Sequence, residues 1–137
     1  MTSVGGLRRD IVILSCAVSA GIHGALVPDH FAEGTGAGVG FVVATVLLAA
    51  LVVALTRRPS SAALTGAVLV FAGLLASYAL AVTTGLPLLH PGVEPVERLA
   101  VLTKSVEALG LLVATDLLWH GRPAAASHLQ RLKGRPS

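Results

Sequence analysis

Charged side chains are scarce in this 137-residue chain. They make up 12% of it, whereas apolar residues make up 54%. A soluble globular domain usually carries about twice that charged fraction, so this chain has too few charges to cover a water-facing surface. Its Lys and Arg residues lie beside long apolar stretches instead of along one polar face. The net charge of +3 therefore gives no reason to expect a nucleic-acid partner.

Cysteine pairs and catalytic motifs are also missing. Cys16 is the only cysteine, which excludes an internal disulfide and favours a small, buried apolar role for this side chain. The sequence contains no Cys-x-x-Cys pair, no phosphate-binding loop and no nucleophile beside a base. Nothing in the sequence requires enzymatic activity.

Four long apolar runs are what the chain does contain, at residues 11–27, 37–56, 62–86 and 96–119. Each approaches or exceeds the roughly 20 residues that a helix needs to cross a bilayer. The connections are short and leave no room for a separate soluble domain. We predict an all-α fold: an integral membrane four-helix bundle over 1–121, multi-pass in the plasma membrane. A basic, flexible cytoplasmic tail follows at 122–137.

The flanking charges predict the orientation. Arginines precede the first run, separate the second from the third and follow the fourth, as Arg8, Arg9, Arg57, Arg58, Arg122, Arg131 and Arg135. The connections at 28–36 and 85–95 contain no Lys or Arg and carry acidic residues instead. Because basic loops stay on the cytoplasmic side, both termini should be cytoplasmic and these two connections should face outwards.

The fourth run contains a polar stripe formed by Glu97, Lys104 and Glu107. Glu97 and Lys104 are seven residues apart, so they share a helix face, and Glu107 is close enough to pair with Lys104. Ionisable residues within a membrane are costly and usually face a bundle interior or one another. The pair could be a structural pin between helices or part of a functional site. Tyr78 could complete this polar interior.

Histidines and carboxylates gather near the predicted outer side. The candidate metal ligands are His23, His30, Glu33, His90 and Glu97. Imidazole and carboxylate groups are suitable ligands for divalent transition metals, and facing helices of a bundle can bring them together. The pattern is nonspecific, since no Glu-x-x-His or His-x-x-x-His motif is present. Each loop histidine could equally be solvated or cap a helix.

Two segments carry a resemblance. The stretch HGALVPDHFAE at 23–33 and the loop with Gly85-Leu86-Pro87 and Glu94-Pro95-Val96 are similar to a group of small four-span actinobacterial membrane proteins. The resemblance covers the four spans but not the tail. It implies the same topology and directs attention to His23, His30 and Glu33, but it implies no activity.

Three functions remain open from the sequence. The first is an outward-facing His/carboxylate site that binds or transports a divalent transition metal or relays protons. The second is a structural or assembly subunit with a membrane-protein partner or a second copy of itself, because small residues recur at helical spacing and let helices approach closely. The third is a membrane enzyme that uses Glu97 or Glu107 as a base beside Lys104.

Overall fold

The computed structural model describes residues 4–86, 92–93 and 95–120. This part of the chain contains four α-helices: α1 (Val4–Glu33), α2 (Thr35–Arg57), α3 (Ser61–Thr83) and α4 (Arg98–His120). Helices α1, α2 and α3 are each long and apolar enough to cross a membrane. Helix α4 is as long as α2 and α3 but carries four charged residues, which are Arg98, Lys104, Glu107 and Asp116. The predicted all-α four-helix bundle agrees with this architecture.

The apolar run at 11–27 is part of a longer helix. Helix α1 continues through Pro28 to Glu33, immediately before Gly34. Proline fixes φ near the helical value, but inside a helix it lacks the N–H that would bond to the carbonyl four residues earlier, and its ring crowds that carbonyl. Packing offsets this cost, because the Phe31 ring lies directly over Gly38 of α2, where a β-carbon would clash with it. The chain turns at Gly34, between α1 and α2.

Both ends of α3 have local causes. The Ser60 hydroxyl accepts a hydrogen bond of 3.1 Å from the Ala63 N–H and caps α3, as its sequence position predicts. At the far end of α3, the N–H groups of Thr84 and Gly85 both donate to the Leu80 carbonyl. Gly85 has φ 76°, the left-handed conformation in which glycine is favoured after a helix. Helix α3 therefore ends three residues earlier than the apolar run predicts.

The helices form a ring in which α1 packs on α2 and α4, and α3 packs on α4 and less extensively on α2. Along its length, one half of the bundle is tightly packed. The core residues of this packed half are Val12, Cys16, Leu48, Leu55, Ala67, Phe71 and Ala114. At Gly110 of α4, an added β-carbon would lie 2.6 Å from the Phe71 ring and 2.8 Å from Ser15 Cβ. Only glycine allows these two neighbours to approach α4 so closely.

The two ends of the bundle differ in charge. At the end we call the arginine end, Arg8 forms a 2.8 Å ion pair with Asp116, which joins the start of α1 to the end of α4. Arg9 and the α2–α3 connection, which follows Arg57 and Arg58, line one recess at this same end. At the opposite end, which we call the cavity end, the α1–α2 connection and the start of α4 carry the carboxylates Glu33 and Glu97.

The exterior of the bundle is largely apolar, and several polar side chains are buried among its apolar core residues. The buried polar side chains are Ser15, Ser19, His23, Thr103 and Glu107. Large apolar side chains are exposed on every helix, and Leu112 of α4 is 69% exposed. A soluble monomer rarely exposes a continuous apolar surface of this kind. The bundle thus has a partly polar interior and an apolar exterior.

Candidate functional site

A cavity of about 480 Å³ occupies the cavity end of the bundle, and all four helices line it. Its walls are mostly apolar. The polar and ionisable side chains that matter for its chemistry are His23, His30, Glu33, Tyr78, Glu97 and Lys104. The packed half of the bundle lies between this cavity and the arginine end.

Glu107 lies at the border between the cavity and the packed half. Its side chain is 0% exposed. Oε2 is 2.7 Å from Lys104 Nζ, which is the ion pair that their three-residue spacing predicts. Oε1 accepts a 2.7 Å hydrogen bond from the Ser19 hydroxyl of α1. Both carboxylate oxygens therefore have a partner, as a buried charge requires.

Lys104 separates Glu107 from the cavity. Its side chain is 16% exposed and lines the cavity, which Glu107 does not. The ammonium nitrogen lies 5.6 Å from the centroid of the Tyr78 ring, a distance at which a cation is attracted to the ring face. The Tyr78 hydroxyl is buried and has no hydrogen-bond partner within the described residues. The floor of the cavity thus carries an ammonium group beside an aromatic ring whose buried hydroxyl has no partner within the described residues.

His23 connects this floor to α1. Its Nδ1 is 2.9 Å from the Ser19 carbonyl oxygen, and because a carbonyl only accepts, this nitrogen carries the hydrogen. The same nitrogen is 3.3 Å from the Ser19 hydroxyl and 3.9 Å from Glu107 Oε1. In the neutral ring Nε2 is then an acceptor. The ring is buried and lines the cavity, so His23, Ser19 and Glu107 form one continuous polar group.

His30 lies one to two helical turns nearer the opening. Its Nδ1 donates a 2.9 Å hydrogen bond to the Leu26 carbonyl, and its ring stacks on Phe41 with centroids 3.5 Å apart. Its Nε2 is 4.0 Å from Glu33 Oε2, so the helical spacing places these two residues on one face as predicted. Phe41 also contacts the His23 ring at 5.1 Å. One aromatic ring therefore lies against both histidines.

The predicted metal ligands are not gathered into one group in the described part of the chain. There, no three His, Cys, Asp or Glu side chains are grouped to hold a metal ion. The structure instead forms two pairs, His23 with Glu107 and His30 with Glu33. Glu97 lines the cavity but is exposed. His90 and Glu94 lie outside the described residues, and a metal site therefore stays a prediction.

No protein-family model matches this chain, and no curated protein or solved structure is significantly similar to it. The resemblance to small actinobacterial four-span proteins therefore stays a prediction as well. Function has to be argued from the chemistry of the cavity and of the residues at its floor.

Sequence reasoning missed two residues of this group, Ser19 and Phe41. Ser19 could have been found, since it lies four residues before His23 and therefore on the same helix face. Phe41 carries no such signal, because its position against two histidines of α1 depends on how α2 packs. Among the small residues of α1, Ala17 and Gly21 are exposed, whereas a β-carbon added at Gly24 would lie 3.4 Å from Thr45 Cγ2.

Proposed function

We propose that this protein is an integral protein of the plasma membrane, spanned by all four helices, with both termini in the cytoplasm. The apolar exterior supports insertion, and it includes the exposed face of α4. The charges of α4 at Lys104 and Glu107 are paired inside the bundle, where they do not meet lipid. The concentration of arginines at one end supports the orientation.

Labelling of single cysteines in intact cells tests this orientation. In a Cys16→Ala background, Val93→Cys at the cavity end should react with a membrane-impermeant maleimide. Ser60→Cys, at the arginine end, should react only after the cells are lysed. Both positions are exposed, so they are matched for access to the reagent. The reverse pattern of labelling would overturn the orientation, and equal labelling would overturn the insertion.

Within this membrane protein, we propose that Glu107 takes up and releases a proton that reaches it from the outer side. The observation that carries this proposal is a fully buried carboxylate whose only partners are groups able to move a proton: the Ser19 hydroxyl, the Lys104 ammonium and the nearby His23 ring. Lys104 and His23 line the cavity, and the cavity gives water a route to them. The 2.7 Å contact places an N–H of Lys104 directly against the Glu107 carboxylate.

Infrared difference spectroscopy tests the proton site directly. Spectra of the purified protein in lipid would be compared between about pH 5 and about pH 8, the range in which histidine changes charge. We expect the signal of a protonating carboxylic acid, lost in Glu107→Gln and altered in His23→Phe. Glu97→Gln is the matched control, because it removes an exposed carboxylate of the same cavity and should leave that signal intact. Loss of the signal in the control alone would assign it to Glu97 and refute the proposal.

A divalent transition metal is the alternative occupant of the predicted site. The His30–Glu33 pair at the cavity opening favours it, since it offers an imidazole and a carboxylate 4.0 Å apart. Metal analysis of the purified wild type and of its His30→Ala and His23→Ala variants distinguishes a metal site from a proton site. Bound metal that is lost in His30→Ala would support a metal site, and a wild type without bound metal would favour the proton site.

A second candidate function is that of a structural or assembly subunit. It is favoured by Gly21 of α1 and Gly73 of α3, which are exposed and have open space where a β-carbon would stand. Such small, outward-facing residues let another transmembrane helix approach. Gly21→Leu should then weaken self-association or co-purification of a partner. Ala50→Leu adds bulk to an exposed position of α2 and should not. Equal behaviour of the two variants would contradict this role.

A further inference from the structure

The floor of the cavity holds more hydrogen-bond donors than the described residues satisfy. The Tyr78 hydroxyl is buried without a partner, which is costly unless something else accepts its hydrogen. Lys104 has three N–H donors, and its only hydrogen bond within the described residues is the one to Glu107. Its ammonium lies close to the same Tyr78 ring. These two groups together are suited to an acceptor such as a carbonyl oxygen.

The remainder of the cavity is suited to an apolar molecule. Its lining is mainly aliphatic and aromatic, with Leu26, Phe41 and Leu74 among the residues that contribute. The volume of about 480 Å³ lies within the range of roughly 300–1,000 Å³ that is typical of small-molecule sites. Water can reach the polar groups at the floor, but these apolar walls gain more from contact with an apolar molecule.

The charges around the cavity decide what kind of molecule fits. Glu33 and Glu97 line it at the cavity end and disfavour an anion, although Lys104 by itself would attract one. Because Lys104 is paired with Glu107, neither an anion nor a cation finds an unpaired counter-charge at the floor, and a buried unpaired charge is costly. A neutral molecule meets neither penalty. Its carbonyl oxygen would replace the missing partner of Tyr78.

We propose that this cavity binds a neutral, lipophilic carbonyl compound of the quinone class, with a carbonyl oxygen accepting hydrogen bonds from Tyr78 and Lys104. The aromatic rings of Phe41 and Tyr78 suit a flat ring system, because flat rings stack or meet edge to face. This binding site goes beyond the proton site at Glu107 and does not depend on it.

Binding of menadione to the full-length protein in lipid nanodiscs tests this proposal. Three ligands of similar ring size serve as comparisons: methylnaphthalene has no carbonyl, naphthoate is an anion and naphthylmethylamine is a cation. Affinity would be measured as ligand retained by the protein after subtraction of empty nanodiscs. We expect menadione to bind at least about fivefold more tightly than methylnaphthalene, which corresponds to one or two ordinary hydrogen bonds. Neither charged analogue should match menadione.

Tyr78→Phe keeps the ring and removes only the hydroxyl. It should weaken menadione binding by about three- to tenfold and leave methylnaphthalene unchanged. Ser105→Ala is the control, because it removes an exposed hydroxyl from α4 that bonds only to the Val101 carbonyl. Melting temperatures without ligand verify that both variants fold. Equal affinities for menadione and methylnaphthalene, tightest binding of a charged analogue, or no effect of Tyr78→Phe would each overturn the proposal.

The infrared signal of Glu107 and the binding of menadione can fail separately. If the protein binds menadione but shows no protonating carboxylic acid, the proposed ligand site is supported and the proposed proton site is wrong. If it shows the carboxylic acid but does not bind menadione, only the proton site is supported. The two proposals are therefore tested by different measurements on the same preparation.

Discussion

Replacing Lys104 should destabilise the bundle more than replacing Lys104 and Glu107 together. In Lys104→Met, Glu107 keeps its hydrogen bond from Ser19 but loses its counter-charge while remaining 0% exposed. Removing one partner of a buried ion pair costs about 3–5 kcal/mol. Lys104 is 16% exposed beside a cavity, so water can partly replace it, and we expect the lower end, about 3 kcal/mol.

Replacing Glu107 alone should destabilise the bundle less than replacing Lys104 alone. In Glu107→Gln the amide oxygen can still accept the hydrogen bond from Ser19. The Lys104 ammonium still lies beside the cavity and the Tyr78 ring. We expect a loss of about 1–2 kcal/mol for this variant. The double variant contains no unpaired charge and should lose only about 1 kcal/mol, because replacing a whole buried pair is often nearly neutral. The two positions should therefore be coupled by roughly 3–4 kcal/mol, which is the sum of the two single losses minus the loss in the double variant.

Melting temperatures in a mild detergent give the order of the four proteins. Lys104→Met should melt on the order of 10 °C below the wild type, and adding Glu107→Gln should restore most of that loss. A second cycle, Lys104→Met with Glu97→Gln, is the matched control. Glu97 lines the same cavity but forms no ion pair with Lys104 in the described part of the chain, so these losses should add. Additive losses in the Lys104–Glu107 cycle would refute the buried ion pair.

Three further predictions concern single positions. Gly110→Ala should lower the melting temperature strongly, because its β-carbon would lie 2.6 Å from the Phe71 ring, whereas Gly73→Ala on the open surface of α3 should be neutral or stabilising. An equal effect of the two alanines, measured by thermal unfolding, would contradict the packing at Gly110. Gly85→Ala should cost about 1 kcal/mol because φ is 76° there, and an unchanged melting temperature would mean that α3 ends differently. Ser19→Ala removes one hydrogen bond from the buried carboxylate and should cost about 1–3 kcal/mol, and a stable variant would indicate that water takes over this bond.

The sequence predicts the helices well because apolar runs interrupted by glycine, proline and arginine mark their ends. The continuation of α1 past Pro28 has a tertiary cause. A proline after an apolar run often indicates a boundary, but the close contact of Phe31 with Gly38 of α2 stabilises the six helical residues from Pro28 to Glu33. No local pattern within α1 reports that contact. The cap at Ser60 depends only on neighbouring residues and could be read from the sequence directly.

In the candidate site, too, contacts within one helix could be predicted from the sequence, whereas contacts between helices could not. The Lys104–Glu107 and His30–Glu33 pairs follow from three-residue spacing on a helix, and both are present. The contact of Ser19 with Glu107 joins α1 to α4 across 88 residues of sequence, and only the packing of the two helices creates it. Histidines and carboxylates can lie near the same end of the predicted spans without their side chains being in contact. For that reason residue types alone suggested a metal site that the described residues do not assemble.

The chemistry at the cavity floor argues against a purely structural role for the ion pair. A pin between α1 and α4 needs no charge, because a serine and an amide could form the same hydrogen bond without the cost of burying ions. The Lys104–Glu107 ion pair lies within α4, and the ammonium contacts α3 only through the Tyr78 ring, 5.6 Å from its centroid. It does line the cavity, next to a Tyr78 hydroxyl that lacks a partner among the described residues. A charge in this place affects whatever enters the cavity, and this is the physical reason to look for function there.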